Sequence, residues 1–292
     1  MKDLNFIHPI PAVAYFTVVI LTSMFVMHPV FIMLSLIGAI CTGASLGGRQ
    51  AFSGWKFYII IFILTALINP LVVHRGQTVM FYIGLRAFTF EALVYGLAIA
   101  GVLISVLLWF KCMGYVLTDD KFMYLFGKAL PKTALVISII MGLIPMFVHQ
   151  IKNSLSVQRC MGLGVDRGLI GRIKTAAHTF SANISRALEE AVETAASMRA
   201  RCYGTAKRTS YSLFSFKSSD AVFTVVISAL SAIVIVGIAI GAASFSYYPV
   251  IDNLRTDWFC VAFYIGYGLL LLLPSILWAV GRIRWKYCIS TI

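Results

Sequence analysis

The chain has 292 residues, of which 60% are hydrophobic and only 12% charged, and its mean hydropathy is +0.90. That much apolar surface exceeds what a water-soluble core can hide, which excludes a soluble domain and points to an all-α, polytopic membrane protein. The formal charge of +13 then reads as an orientation signal beside anionic lipid headgroups, with no nucleic acid implied.

A bilayer core of about 30 Å needs roughly 20 apolar residues in a helix, with a usable range of about 17 to 25. Lys2 is followed by an apolar run from Pro11 with no small-residue cleavage site, so the run is expected to stay as a span. Residues 11–27 and 29–46 fit a tight hairpin around His28-Pro29, and 57–74 and 88–116 complete a four-span block over 1–116. Asn69-Pro70 marks a kink or turn near the third span's end. Glu91 and Lys111 are ionisable groups near the ends of the fourth span, where both are expected to snorkel to water.

Residues 117–217 differ. Between 150 and 217 there are eleven Lys/Arg against four Asp/Glu, which the positive-inside rule places in the cytoplasm. The segment 133–149, "TALVISIIMGLIPMFVH", is apolar but short, interrupted by Pro145 and flanked by basic sequence; it is expected to lie on or just beneath the membrane. Two more spans, 221–245 and 258–281, form a C-terminal hairpin with a basic tail over 218–292. Six spans with both termini inside follow, although Arg75 and Arg86 on the outer side oppose this orientation.

Inside the basic region, "SANISRALEEAVETAASMRARCYG" carries Ile184, Leu188, Val192, Ala195, Met198 and Cys202 at three- and four-residue steps, the stripe of an amphipathic helix. Ser181 is expected to cap its start and Gly204 to stop it, with Glu189, Glu190 and Glu193 preceding Arg199 and Arg201 as the helix dipole favours. An earlier stretch repeats this end: residues 158–164 superpose on 198–204 as R-x-x-[GC]-x-G at an offset of 40, each followed by a basic residue, Arg167 or Lys207. Two similar basic helix ends are what a pair of related soluble subunits, each with a receiving groove, would need.

Catalytic and metal sites are not expected. There is no G-x-x-x-x-G-K-[ST] phosphate loop and no H-E-x-x-H. The five histidines (His8, His28, His74, His149, His178) are scattered, and the six cysteines (Cys41, Cys112, Cys160, Cys202, Cys260, Cys288) have no metal or CxxC spacing. A stand-alone secondary transporter remains an alternative; it would need a midplane substrate site and internal membrane repeats. An intramembrane enzyme would need clustered polar residues within the spans.

The blocks His8-Pro9, "INPLVVHRG" (68–76), "TFEALVYGLAIAG" (89–101), "LTDDKFMYLFGKALPK" (117–132) and "ETAASMRARCYGTAKRTS" (193–210) resemble the transmembrane coupling component of energy-coupling factor (ECF) transporters, the EcfT/CbiQ family, over nearly the whole chain. The resemblance implies a scaffold that neither hydrolyses ATP nor holds substrate. It would carry two Ala-Arg-Gly motifs on cytoplasmic coupling helices, each inserted into one of two ATPases that bind ATP and Mg. A separate membrane subunit, the S component, would capture a vitamin or metal ion, with 133–149 a greasy surface for it. Carried over, the second motif is Ala200-Arg201-Cys202, preceded by Arg199, with cysteine in the glycine position. The first is Cys160-Met161-Gly162, with methionine in the arginine position and Arg159 two residues before it. The arms are therefore expected to be unequal, the second coupling more through charge and the first through packing.

Overall fold

The computed structural model describes residues 8–48, 54–73, 76–83, 86–162, 168–205, 214, 216–249, 251–252 and 257–290. These form helices α1 (Pro9–Phe25), α2 (Pro29–Gly47), α3 (Trp55–Val72), α4 (Phe90–Val116), α5 (Asp119–Ala129), α6 (Pro131–Cys160), α7 (Leu169–Ala200), α8 (Ser218–Ala239) and α9 (Trp258–Ser290). A short antiparallel hairpin, β1 (Val79–Ile83) and β2 (Arg86–Thr89), sits between α3 and α4. The chain divides into two compact units, Met1–Phe122 with Phe214–Ile292, and Met123–Leu213. It is a multi-pass membrane protein: α2, α3, α4, α6, α8 and α9 are long and apolar enough to cross a bilayer, and α1 is a shorter apolar helix.

In the first unit, α1 and α2 begin alike. His8 and His28 stand just before each helix, Pro9 and Pro29 supply a preset φ for the first turn, and each imidazole Nδ1 accepts the N–H of Ile10 or Val30. Packing centres on a polar knot in an apolar setting. Trp109 of α4 donates its indole N–H to Ser35 Oγ at 3.0 Å, Ser35 shares a hydrogen bond with Ser23 at 2.8 Å, and Ser23 reaches the Tyr267 hydroxyl at 3.1 Å. Four helices meet there, and every polar group finds a partner where lipid offers none.

The internal contacts fix how this unit is threaded. The His8 N–H donates to Asp220 Oδ1 at 3.2 Å, so α1 and α8 start at the same end. α2 reverses α1 through residues 26–28, and α4 runs parallel to α2, since Trp109 meets Ser35 and the Cys112 thiol meets the Ala39 carbonyl. Val116 therefore lies at the end where α1 and α8 begin. The chain leaves this unit after Val116 and rejoins it at Ser218, at the same end. α7 carries Lys174, Arg186, Glu189, Glu190, Glu193 and Arg199 along its length and is too charged to cross a bilayer.

Several sequence expectations need correction. α6 is one continuous helix of 30 residues through Pro145, where a short interrupted segment was expected. α8 stops at Ala239 instead of 245, because Gly241 adopts φ 88 and the Ala242 N–H closes back on the Gly237 carbonyl. α3 stays helical through Pro70 to Val72, and the Asn69 amide donates to the Ala92 carbonyl at 2.8 Å, tying α3 to α4. Glu91 does not reach water: it is buried, and it accepts from the Thr78 N–H at 3.0 Å and the Thr78 hydroxyl at 2.8 Å, binding the segment before β1 to the first turn of α4. A Cβ at Gly76 would collide with that carboxylate, so the close approach requires glycine.

His28, in the turn between α1 and α2, gives a pH prediction. Its ring is buried among Phe31, Phe245 and Tyr264, with Nε2 at 3.2 Å from the Tyr264 hydroxyl. Burial lowers its pKa below the ordinary imidazole range. The unfolded chain binds this proton below about pH 6.5 while the folded chain still refuses it, so stability is full above that pH and falls as pH drops toward the folded pKa. Unfolding in detergent at about pH 7.5 and about pH 5.5 should show this loss in the wild type. His28→Asn, which keeps a capping oxygen and does not titrate there, should show a smaller loss.

Candidate functional site

The two helix ends singled out by the sequence fall in the second unit, at the C-termini of α6 and α7. The Gln158 side chain accepts from the Thr179 hydroxyl at 2.6 Å, and the Gln150 amide donates to Glu190 at 3.1 Å. Residue numbers fall along α6 as they rise along α7, so the pair is antiparallel and the ends point in opposite directions. Gln150 and Glu190 are 40 residues apart, the same offset that relates the two motifs. Each lies ten residues before its helix's last residue, Cys160 or Ala200. At 1.5 Å per residue each end projects about 15 Å from this contact, about 30 Å tip to tip.

The two ends share one backbone design. In α6, the Met161 N–H donates to the Val157 carbonyl at 3.0 Å and the Gly162 N–H to Arg159 at 3.1 Å; in α7, Arg201 donates to Ser197 at 3.1 Å and Cys202 to Arg199 at 3.0 Å. The capping residues Met161 (φ −80, ψ 3) and Arg201 (φ −85, ψ 19) match. Each is followed by a left-handed residue, Gly162 at φ 75 and Cys202 at φ 59. In α7 the Tyr203 N–H also closes on the Met198 carbonyl at 3.0 Å, completing a Schellman cap. The frame pairs Arg159 with Arg199, Cys160 with Ala200, Met161 with Arg201 and Gly162 with Cys202. Arg159 is thus the counterpart of Arg199; nothing at the first end replaces Arg201.

All eight of these residues are exposed, and none of the arginines has an ion pair with a described residue. Leu163, Gly164, Arg167, Lys207 and Arg208 lie outside the described residues. Two capping expectations were wrong. α7 starts at Leu169, so Ser181 sits inside it, and the left-handed stop is Cys202, with Gly204 two residues further on. The stripe of α7 is real but uncovered: Ile184, Leu188 and Val192 are 42%, 64% and 69% exposed, and Phe180 and Ile173 extend it toward the N-terminus. The hydrogen bonds to α6 come instead from Thr179 and Glu190, and Asn183 is buried with its amide on the Thr179 carbonyl.

Cys202 is the one non-glycine residue with positive φ among the described residues. A Cβ there costs about 1 kcal/mol relative to glycine. Cys202→Gly should therefore tighten the cap of α7 by about that amount, read as roughly fivefold slower exchange of the amides of residues 202 and 203. Gly162→Val should do the reverse at α6. No described atom lies within 4 Å of the added Cβ, so the cost is conformational, not a clash.

Elsewhere, no group of three or more His, Cys, Asp or Glu among the described residues is gathered closely enough to hold a metal ion. His8 and His28 serve as helix caps. No family model and no curated protein sequence matches the chain.

Proposed function

We propose that the chain is the membrane scaffold of an ATP-driven importer of the energy-coupling factor type. Its α6 and α7 ends seat in two cytoplasmic ATPases, and it passes their closure to a separate membrane subunit that captures a vitamin or metal ion. ATP and Mg belong to the ATPases, and this chain performs no chemistry. The observation that carries the reading is the repeated helix end: one cap geometry built twice at a 40-residue offset, exposed and basic, at the two extremes of an antiparallel pair. A single docking surface would not need two copies.

The excess of Lys and Arg in the basic region and at Arg282, Arg284 and Lys286 supports a cytoplasmic position for the end where α1 and α8 begin, with both termini on that side of a cell membrane. ATP binding moves the helices only if their contact free energy differs between open and closed ATPases. The uncovered stripe of α7 and the apolar half of α6 supply a surface for the capture subunit. The test is purification of the intact assembly from native membranes. Two nucleotide-binding subunits and one further membrane subunit should accompany the chain, and the chain alone in liposomes should neither hydrolyse ATP nor take up solute. Uptake by the chain alone would overturn the reading in favour of a secondary transporter.

A further inference from the structure

The hairpin between α3 and α4 carries the composition of a core, yet its first strand is uncovered. β1 reads Val-Met-Phe-Tyr-Ile, with no charged residue. In β2, Phe88 and Thr89 are buried, whereas Val79, Met80 and Tyr82 of β1 are 41%, 58% and 71% exposed. Neighbouring strand residues point to opposite faces, so Met80 and Tyr82 leave neither face of β1 polar. In water such a strand would be an aggregation site.

The threading of the unit sets the level at which β1 lies. α4 ends where α1 and α8 begin, so Phe90 and the hairpin before it stand at the opposite end. α9 begins at that end too: Tyr264 meets His28 and Ser275 meets Thr42, so α9 runs parallel to α2. Its first residues, Trp258 and Phe259, are 86% and 78% exposed. α3 has 18 residues, about 27 Å at 1.5 Å each, against a hydrocarbon core of about 30 Å, so the chain reaches β1 at the edge of the hydrocarbon. The backbone sets the other limit. Among the described residues the sheet has two strands, so one edge of β1 pairs with no strand, and hydrocarbon offers unpaired N–H and C=O groups nothing.

We infer that β1 binds lipid: it lies flat in the headgroup region of the leaflet at the end where α4 and α9 begin, level with Trp258 and Phe259. There its apolar side chains reach the acyl boundary, its free edge meets water and headgroups, and the Tyr82 phenol stays at headgroup level. With Trp55, exposed at the opposite end of α3, it brackets that helix between two interfacial aromatics. The inference stands on the membrane architecture and is independent of the proposed function.

The test is photocross-linking of the full chain in native membranes with p-benzoylphenylalanine in three single variants, Tyr82→p-benzoylphenylalanine, Met80→p-benzoylphenylalanine and Ile60→p-benzoylphenylalanine. All three positions are exposed, so the fold tolerates the larger ring. Ile60, near the start of the apolar run of α3, is the lipid-facing reference. Mass spectrometry of the irradiated chain should find phospholipid adducts at positions 80 and 82, each at a yield within about threefold of that at position 60. Lower lipid yields at both positions would place β1 in water and overturn the inference. Adducts to another polypeptide or to a second copy of the chain, at either position, would make this strand a protein interface and overturn it as well.

Discussion

Arg201→Glu is expected to remove one ATPase from the assembly and to abolish coupled uptake while leaving the membrane block folded. The side chain is exposed and makes no ion pair with a described residue, so the isolated chain should lose no more than about 0.5 kcal/mol, as for ordinary surface substitutions. The loss appears only on docking. On the proposed function the guanidinium enters an ATPase groove; truncating one member of a buried interfacial charge pair costs about 2 to 5 kcal/mol, and a carboxylate in a groove built for a cation adds repulsion, so affinity should fall at least about thirtyfold. The measurement is retention of each ATPase on affinity-tagged chain, with ATP-driven uptake by the same preparation. Arg186→Ala is the control: Arg186 is an exposed cation of the same helix, bonded to Glu190 within one turn, and its loss should change retention less than about threefold. Normal retention of both ATPases and normal uptake with Arg201→Glu would remove Arg201 from the docking surface.

Most of the apolar helices were legible in the sequence because length and apolarity are set by the bilayer, and each hydrophobic run carries that signal locally; α6, expected to be short, is itself long and apolar enough to cross, and α1 is shorter than a usual span. What failed was local grammar overridden by context. Ser181 looked like a cap because serine favours helix starts, yet the apolar steps of Ile184, Leu188 and Val192 continue back through Phe180 and Ala177 to Ile173, and following them would have placed the start near Leu169. Gly204 looked like the stop because glycine favours the left-handed site; the backbone turned two residues earlier, at a cysteine, and only alignment with Gly162 signals this.

The offset of 40 was visible in the motifs, whereas the hydrogen bond between Gln150 and Glu190 at the same offset was not, since neither residue belongs to a recognisable pattern. That contact relates the two ends in space. It explains why an arginine two places early, Arg159, does not stand in for the missing one: it occupies the Arg199 position, and two residues along a helix rotate a side chain by about 200°.

Trp109→Ala should be the most destabilising single change in the membrane block. Trp109 is 0% exposed, meets the rings of Tyr15 at 6.2 Å and Phe16 at 6.3 Å edge-on, and its indole N–H is held by Ser35. A Cβ added at Gly38 would come within 3.4 Å of its ring, a measure of how closely α2 approaches. Between membrane helices no hydrophobic driving force compensates a lost contact, so the cost is the dispersion energy of the emptied volume plus one orphaned hydroxyl interaction. Large-to-small changes of this kind cost about 3 to 5 kcal/mol. Trp109→Phe keeps most of the volume and loses the N–H donor, which should cost only about 1 to 2 kcal/mol. Ser35→Ala should cost a similar amount, because it leaves the indole N–H and Ser23 without that shared partner, and it should not add to Trp109→Phe, since both remove the same bond. The measurement is unfolding in detergent of the three single variants and the Trp109→Phe/Ser35→Ala pair. Additive losses in the pair, or a Trp109→Ala chain that unfolds with the wild type, would show that α1, α2, α4 and α9 are held together somewhere other than this knot.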